Sequence, residues 1–318
     1  MARTYEGRAL PKQDEEVVDQ GLAFDLATLV SRRQALRSLG LGAVAVGLAA
    51  CGDGGSSSSS ASATPSSSAS TLGSASASTA GLTEIPDETA GPYPGDGSNG
   101  PNVLTEDGVV RSDIRSSFST GNATAEGVPM TLELVVRDLA NGGRPFAGAA
   151  VYVWHCDREG RYSLYSEGIT GEDYLRGVQV ADATGTVRFT SVYPACYSGR
   201  WPHIHFEVYP DQASIADSSA VIATSQVALP QDTSDTVYAT SGYEASVGNA
   251  AQVSLQSDNV FGEDSGASQL PTVTGDVTGG YIVTLVVGVD TTTTPTGGQL
   301  TGDGAPPGGR PPSSAPRR

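Results

Sequence analysis

The chain has 318 residues, among them 18 basic and 35 acidic side chains, which give a net charge of −17 at pH 7. Such a surface repels phosphate backbones and anionic lipid headgroups, so the composition excludes nucleic acid as a partner. The length allows one or two domains, and stretches of low sequence complexity decide between these alternatives.

Residues 1–51 are predicted to be an export leader. Ser31-Arg32-Arg33-Gln34-Ala35-Leu36 is a twin-arginine signature. Leu39–Ala50 follows as twelve uncharged, mostly apolar residues, too few to cross a bilayer as a helix. The segment ends in Leu48-Ala49-Ala50-Cys51, which looks like a bacterial lipobox that makes Cys51 the lipidated first residue. A plain signal peptide and an uncleaved membrane anchor are the alternatives.

We therefore expect a protein exported by the twin-arginine pathway. It is expected on the outer face of the cell membrane, held there only by a lipid at Cys51, or in the extracellular space. Residues 1–51 contain six basic and six acidic side chains, so their removal leaves the net charge at −17.

Two further stretches are predicted to be disordered. Residues 52–81 are almost entirely Ser, Ala, Gly and Thr, and residues 291–318 are rich in Thr, Gly and Pro. Neither composition can bury enough apolar surface to offset chain entropy. A linker, a single folded domain over residues 82–290 and a tail are the expected organisation.

The folded part shows a hydrophobic period of two rather than 3.6. Short runs rich in β-branched residues alternate with Gly, Pro and Asn turns, which predicts an all-β domain, a β-sandwich of mixed or antiparallel sheets. No stretch shows sustained helical periodicity. The predicted strands are 130–136, 150–154, 186–192, 204–208 and 281–287.

Two of the three histidines are separated by one residue. His205 lies in the predicted strand 204–208 and His203 directly precedes this strand. Residues i and i+2 of an extended segment point to the same side, so both imidazoles face one site. Two neutral nitrogen donors side by side suit a metal ion. The alternative is a pair of polar side chains on a solvent-exposed face.

The order of motifs around this pair resembles the intradiol ring-cleavage dioxygenases, of the catechol and protocatechuate dioxygenase type. In that family a strand ending in Trp leads to a Gly-x-Tyr turn, and a later strand leads through Pro-Gly-x-Tyr to Arg-x-x-His-Ile-His. The resemblance spans Leu82 to Val289. Its pieces here are Ala90-Gly91-Pro92-Tyr93, Val110-Arg111-Ser112-Asp113-Ile114, Trp154, Gly160-Arg161-Tyr162-Ser163, Gly185-Thr186-Val187-Arg188-Phe189, Pro194-Ala195-Cys196-Tyr197, Arg200-Trp201-Pro202-His203-Ile204-His205 and Thr224-Ser225-Gln226-Val227.

The resemblance implies one Fe(III) per chain, held by Tyr162, Tyr197, His203 and His205. It implies a small aromatic diol and O2 as substrates, with ring cleavage between the hydroxyl-bearing carbons to cis,cis-muconate-type diacids. Tyr162 and His203 are then equatorial ligands, and Tyr197 and His205 are axial. Substrate displaces Tyr197, which gives that residue a catalytic role as well.

The resemblance also implies roles for side chains beside the iron. Arg200 is the catalytic residue that stabilises negative charge on the ring. Trp154, Gln226 and Tyr93 line the substrate pocket.

Phenolate is a hard anionic donor, which favours Fe(III) over softer ions. Zinc is the competing interpretation, and it requires a third His, Cys or carboxylate ligand, for which Asp157, Glu207 and His155 are the candidates. His155 follows Trp154 and so points to the opposite face of its strand; we interpret it as a non-ligand.

Cys156 and Cys196 remain once Cys51 is assigned to the anchor. An even pair in an oxidising compartment leaves two alternatives, a disulfide or two buried thiols.

The chain departs from the family in three ways. Ala195 replaces the usual Gly before the second tyrosine. The connection from Tyr197 to His203 is short, as in the exported, actinobacterial-type branch of the family, which predicts a shallower pocket. A helical N-terminal dimerisation segment is missing, so a monomer is expected.

A second class of function remains open at this point. The sequences of Pro145–Val151 and Asp182–Val187 are also typical of transthyretin-like and adhesin-like sandwich modules. A non-catalytic β-sandwich that binds at the cell surface is therefore the alternative.

Overall fold

The structure is a computed structural model that describes residues 81–296 and the backbone of two short strands near the N-terminus. These strands, β1 (Thr4–Tyr5) and β2 (Arg8–Ala9), pair antiparallel with each other. The remainder of the predicted leader with Cys51, the linker over residues 52–80 and the tail from residue 297 lie outside the described residues.

The first sheet of the domain has five strands. They are β3 (Pro129–Asp138), β4 (Arg144–Pro145), β7 (Thr186–Val192), β10 (Thr272–Asp276) and β11 (Gly280–Val289). Strand β3 lies at the centre, where β11 pairs with it in parallel and β4 and β7 pair with it antiparallel, while β10 pairs with β11.

The second sheet has four antiparallel strands. They are β5 (Ala150–Trp154), β6 (Arg176–Val180), β8 (His203–Tyr209) and β9 (Ala223–Ala228), in the spatial order β6-β5-β8-β9. The predicted all-β sandwich of mixed sheets is therefore confirmed.

Alternation along the strands decides which side chains enter the core. Leu132 and Leu134 of β3 belong to the same buried apolar cluster as Ile204 and Phe206 of β8, so this cluster joins the two sheets. His203 and His205 alternate with Ile204 and Phe206 along β8 and therefore point to the other face of the sheet. The outer face of the four-stranded sheet thus receives the two histidines.

Several elements were not predicted from the sequence. Strands β6, β9 and β10 contain glycine or small polar residues, which weaken the strand signal. Two helices of about two turns, α1 (Gln231–Tyr238) and α2 (Glu244–Ala250), are too short for their periodicity to be recognised. In the described part of the domain, three short 3-10 helices lie over Val103–Thr105, Gln212–Ser214 and Ser218–Ala220. Across residues 81–296, no helix combines the length and apolar character that crossing a bilayer requires.

Leu134→Ala tests the interface between the sheets. Leu134 is fully buried, and we expect its truncation to lower the free energy of unfolding by roughly 2–5 kcal/mol through lost burial and a cavity. Ile282→Ala is the control, because Ile282 is 45% exposed on β11; its effect should stay within about 0.5 kcal/mol. Urea unfolding measures both, and equal losses would contradict the assignment of the core.

Candidate metal centre

Strand β8 and two loops bring four donor side chains to one point. His203 and His205 lie on β8, while Tyr162 and Tyr197 lie in the loops that follow β5 and β7. The Nε2 atom of His203 lies 3.1 Å from Nε2 of His205, 3.2 Å from the Tyr197 hydroxyl and 3.4 Å from the Tyr162 hydroxyl. All four side chains are buried. The residues predicted as iron ligands are therefore brought together.

The hydrogen bond on Nδ1 of His203 leaves a nitrogen lone pair directed at this point. His203 Nδ1 donates to the Trp201 carbonyl at 2.5 Å, so its Nε2 carries a lone pair. The His205 ring stacks on Trp154, with centroids 4.8 Å apart and 5° between the planes. His205 Nδ1 is buried and has no hydrogen-bond partner. One proton can be shared between the facing Nε2 atoms, whereas a cation satisfies both of them.

The pKa shifts follow from burial. Burial, and then the nearby Arg200 charge, lowers the pKa of His203 well below its usual value. Burial, and then His203, does the same to the pKa of His205. Both rings are thus neutral and free to ligate. Burial raises the pKa of Tyr162 and of Tyr197 well above 10, so the phenols keep their protons until a cation replaces them.

The donor set fits a hard metal ion. Donors that lie about 2.0–2.1 Å from one ion are about 3 Å from each other, which matches the separations around His203 Nε2. Two phenolates and two neutral imidazoles favour a hard, highly charged cation.

The residues suggested as a third zinc ligand have other partners. Asp157 accepts from Arg161 and Tyr174, Glu207 accepts from Tyr209, and His155 bonds Ser191. Within residues 81–296, no group of three His, Cys, Asp or Glu side chains is placed to hold a metal ion.

Arg200 lies beside the four donors and is 3% exposed. Its Nε donates to Asp258 at 2.9 Å, and its Nη2 donates to Gln226 at 2.7 Å. Gln226 pairs with His205 across β8 and β9, and its amide donates to the Thr89 carbonyl at 3.0 Å. Sequence reasoning identified Arg200 and Gln226 but missed Asp258, which lies 58 residues from Arg200 in a loop without a motif.

The segment before β3 covers the cluster. The Tyr93 ring stacks on Tyr162 with centroids 5.2 Å apart, and Gly91, at φ +72°, leaves room for the His205 ring, which a Cβ would approach to 3.3 Å. Buried Arg176 donates to the carbonyls of Tyr93 and Pro94 at 2.9 and 2.7 Å. Arg176 therefore fixes this cover, a role that no sequence motif indicated.

Cys156 and Cys196 are buried free cysteines in the structure, so the predicted disulfide alternative is not formed. The Cys156 thiol lies 3.6 Å from the Ala195 carbonyl, and the Cys196 thiol lies 3.4 Å from the Arg200 carbonyl. Each sulfur thus packs against a backbone carbonyl of the segment that contains Tyr197 and Arg200. Burial raises the pKa of both thiols, to about 12 for Cys196, which keeps them protonated and unreactive.

The comparisons with known proteins agree with this geometry. A family model described as Dioxygenase matches residues 100–212, which include all four donors. A catechol 1,2-dioxygenase from Pseudomonas sp. (strain EST1001) is 40% identical over 72 residues, 23% of each chain. A chlorocatechol 1,2-dioxygenase from Rhodococcus opacus is 37% identical over 62 residues, 20% of this chain and 23% of the relative. This chain therefore spans less than a quarter of the length of these curated relatives.

Solved structures share the fold. An intradiol ring-cleavage dioxygenase from Tetranychus urticae superposes with a TM-score of 0.52 at 23% identity, over 67% of this chain and 97% of that protein. Motif order and sequence matches are similar to those of the intradiol ring-cleavage dioxygenases, and the fold is the one that their solved structures have.

Proposed function

We propose that this protein is a non-haem Fe(III) dioxygenase that cleaves catechol-type rings between the two hydroxyl-bearing carbons and yields cis,cis-muconate-type diacids. The observation that carries the proposal is the buried convergence of Tyr162, Tyr197, His203 and His205, with Arg200 alongside. The similarity to relatives named catechol and chlorocatechol 1,2-dioxygenase supports the substrate class.

The four donors are the residues that would hold the iron. Two phenolates offset two of its three positive charges, which reduces the cost of burying the ion. Bound Fe(III) supplies a Lewis acid that holds the catechol oxygens and makes the ring reactive toward O2.

The surrounding side chains then have separate tasks. Tyr197, as a phenolate, is a base whose hydroxyl oxygen can take up a catechol proton, and burial favours its protonated form. Arg200 provides a fixed positive charge for the negative charge that develops on the ring. The Trp154 ring packs between Tyr152 and His205 and supports the His205 imidazole, whereas the Tyr93 ring, stacked on Tyr162, offers an apolar wall for an aromatic substrate.

A non-catalytic surface module is not favoured. Such a module needs no buried set of two phenols and two imidazoles, and without a metal the Nε2 atoms of His203 and His205 face each other at 3.1 Å with one proton to share.

The location that we propose for the protein is based on its predicted N-terminal leader. The twin-arginine signature and the Leu48-Ala49-Ala50-Cys51 ending support export and lipid anchoring at Cys51. A single chain facing outward meets catechols made outside the cell, such as those from plant matter. We propose a monomer that contacts the membrane only through this lipid.

His203→Ala and His205→Ala are each expected to abolish bound iron, because each removes one of four protein ligands. Tyr162→Phe should shift or bleach the visible phenolate-to-iron absorption. His155→Gln is the control and should retain iron, since His155 bonds Ser191 and the Cys156 carbonyl instead. Elemental analysis measures the metal. Zinc without iron in the wild type would overturn the ferric assignment.

The chemistry is tested with an oxygen electrode and a panel of substituted catechols. Wild-type protein should consume O2 without added reductant. The mass of each product should equal that of the catechol plus both atoms of O2. Arg200→Ala should lower the rate by about 10²–10³ while iron and colour remain. Arg115→Ala, which removes an exposed arginine paired with Asp113, should have no effect. Coloured, iron-loaded protein that consumes no O2 with any catechol would refute the dioxygenase proposal.

Cys51→Ser should release the protein from the membrane fraction, because it removes the acylated residue. Arg32→Lys combined with Arg33→Lys should block export. Cys156→Ala, at a buried cysteine of the domain, should leave the protein membrane-bound. Cell fractionation and labelling with a fatty acid measure these outcomes, and wild-type protein without label at Cys51 would exclude the anchor.

A further inference from the structure

Asp258 lies in the loop between α2 and β10, and its side chain is fully buried. Its two carboxylate oxygens accept hydrogen bonds from the Arg200–Trp201 turn and from the loop that contains Asp258 itself. Oδ2 accepts from Arg200 Nε at 2.9 Å and from the Trp201 amide at 2.7 Å. Oδ1 accepts from the amides of Val260 and Phe261 at 2.8 and 3.1 Å and, at a longer 3.5 Å, from Arg200 Nη2. One carboxylate thus joins the Arg200–Trp201 turn to this loop.

The contacts of Arg200 fix the direction of its guanidinium. Asp258 binds Nε, and Gln226 binds Nη2 from the neighbouring strand β9. Neither of these two hydrogen bonds involves Nη1 of Arg200. Because two partners hold adjacent nitrogens of a rigid planar group, they determine its plane as well as its position.

The same loop also packs against the donor cluster. The Phe261 ring centroid lies 6.0 Å from Arg200 Cζ and 6.5 Å from the His203 ring centroid. Trp201, whose amide binds Asp258, accepts from His203 Nδ1 through its carbonyl. Asp258 is therefore connected to Arg200 directly and to His203 through one residue.

We propose that Asp258 is the positioning residue that holds Arg200 in place for the reaction, an inference that rests on the proposed function. A buried guanidinium without its carboxylate has an uncompensated charge and turns toward other acceptors. With Asp258 present, the guanidinium is in place before charge develops on the substrate, so no reorganisation is needed during the reaction.

Asp258→Asn is the test substitution, since the amide keeps the size of the side chain. Its oxygen can still accept from Val260 and Phe261, but its NH2 group faces the Nε–H of Arg200 and the Trp201 amide. Asp173→Asn is the matched control, because Asp173 is also buried and accepts from two backbone amides, those of Phe118 and Ser119, without contacting Arg200.

The kinetic test is a double-mutant cycle with Arg200→Ala on iron-loaded protein. Asp258→Asn should lower the rate of oxygen uptake at saturating catechol by about 10–100-fold, with iron content retained. In the Arg200→Ala background it should cause no further loss beyond about twofold, since both substitutions act on one group. Asp173→Asn should keep the wild-type rate. Full activity of Asp258→Asn, or losses that multiply, would overturn the proposal.

Crystal structures of iron-loaded wild type and Asp258→Asn separate this proposal from the proposed function. The guanidinium is expected to leave its wild-type position, and its 2.7 Å bond to Gln226 should be lost. If the wild type consumes no O2, the dioxygenase proposal fails, and the displacement alone decides whether Asp258 positions Arg200. An unmoved Arg200 in the variant would refute the role of Asp258 whatever the activity.

Discussion

The register of strand β8 is the constraint on which the site depends. With side chains alternating between faces, Ile204 and Phe206 enter the core between the sheets, and His203 and His205 face outward together. A shift of one residue would move both imidazoles into the apolar core. The pairing of β8 with β5 on one side and β9 on the other fixes this register and also places Trp154 and Gln226 opposite His205.

Burial then controls the electrostatics of the cluster. Each of the four donors is more stable in its neutral form when buried, so the pKa values of the histidines fall and those of the tyrosines rise. The same burial makes an unpaired Arg200 costly, and Asp258 compensates its charge. The pocket is thus nearly neutral, and in the proposed ferric site two phenolates would offset two of the three positive charges of the ion.

Much of this arrangement could be predicted from the sequence because it is local or carried by ordered motifs. The period of two around His203 and His205 predicted both the strand and the shared face, and both are present. The two tyrosines could be related to them only through the resemblance, since loops bring them in from other strands. Their roles as ligands remain predictions.

What could not be predicted depends on tertiary structure. Ala223–Ala228 contains small polar residues and carries little strand signal, yet β9 is buried along its whole length and supplies Gln226. Asp258 and Arg176 form contacts with residues far away in sequence, for which no spacing rule exists. The state of the cysteines also required coordinates, because a disulfide depends on the distance between the two residues.

The parallel pairing of β3 with β11 has a consequence for the order in which the domain folds. Met130 pairs with Tyr281, so most of the domain lies between the two partners along the chain. The central strand of the first sheet stays open on one side until the last strand has been synthesised and has docked. Folding therefore has to close a long loop late, and such non-local topologies fold slowly. Until that closure, the exposed edge of β3 is the part of the chain most open to pairing with another molecule.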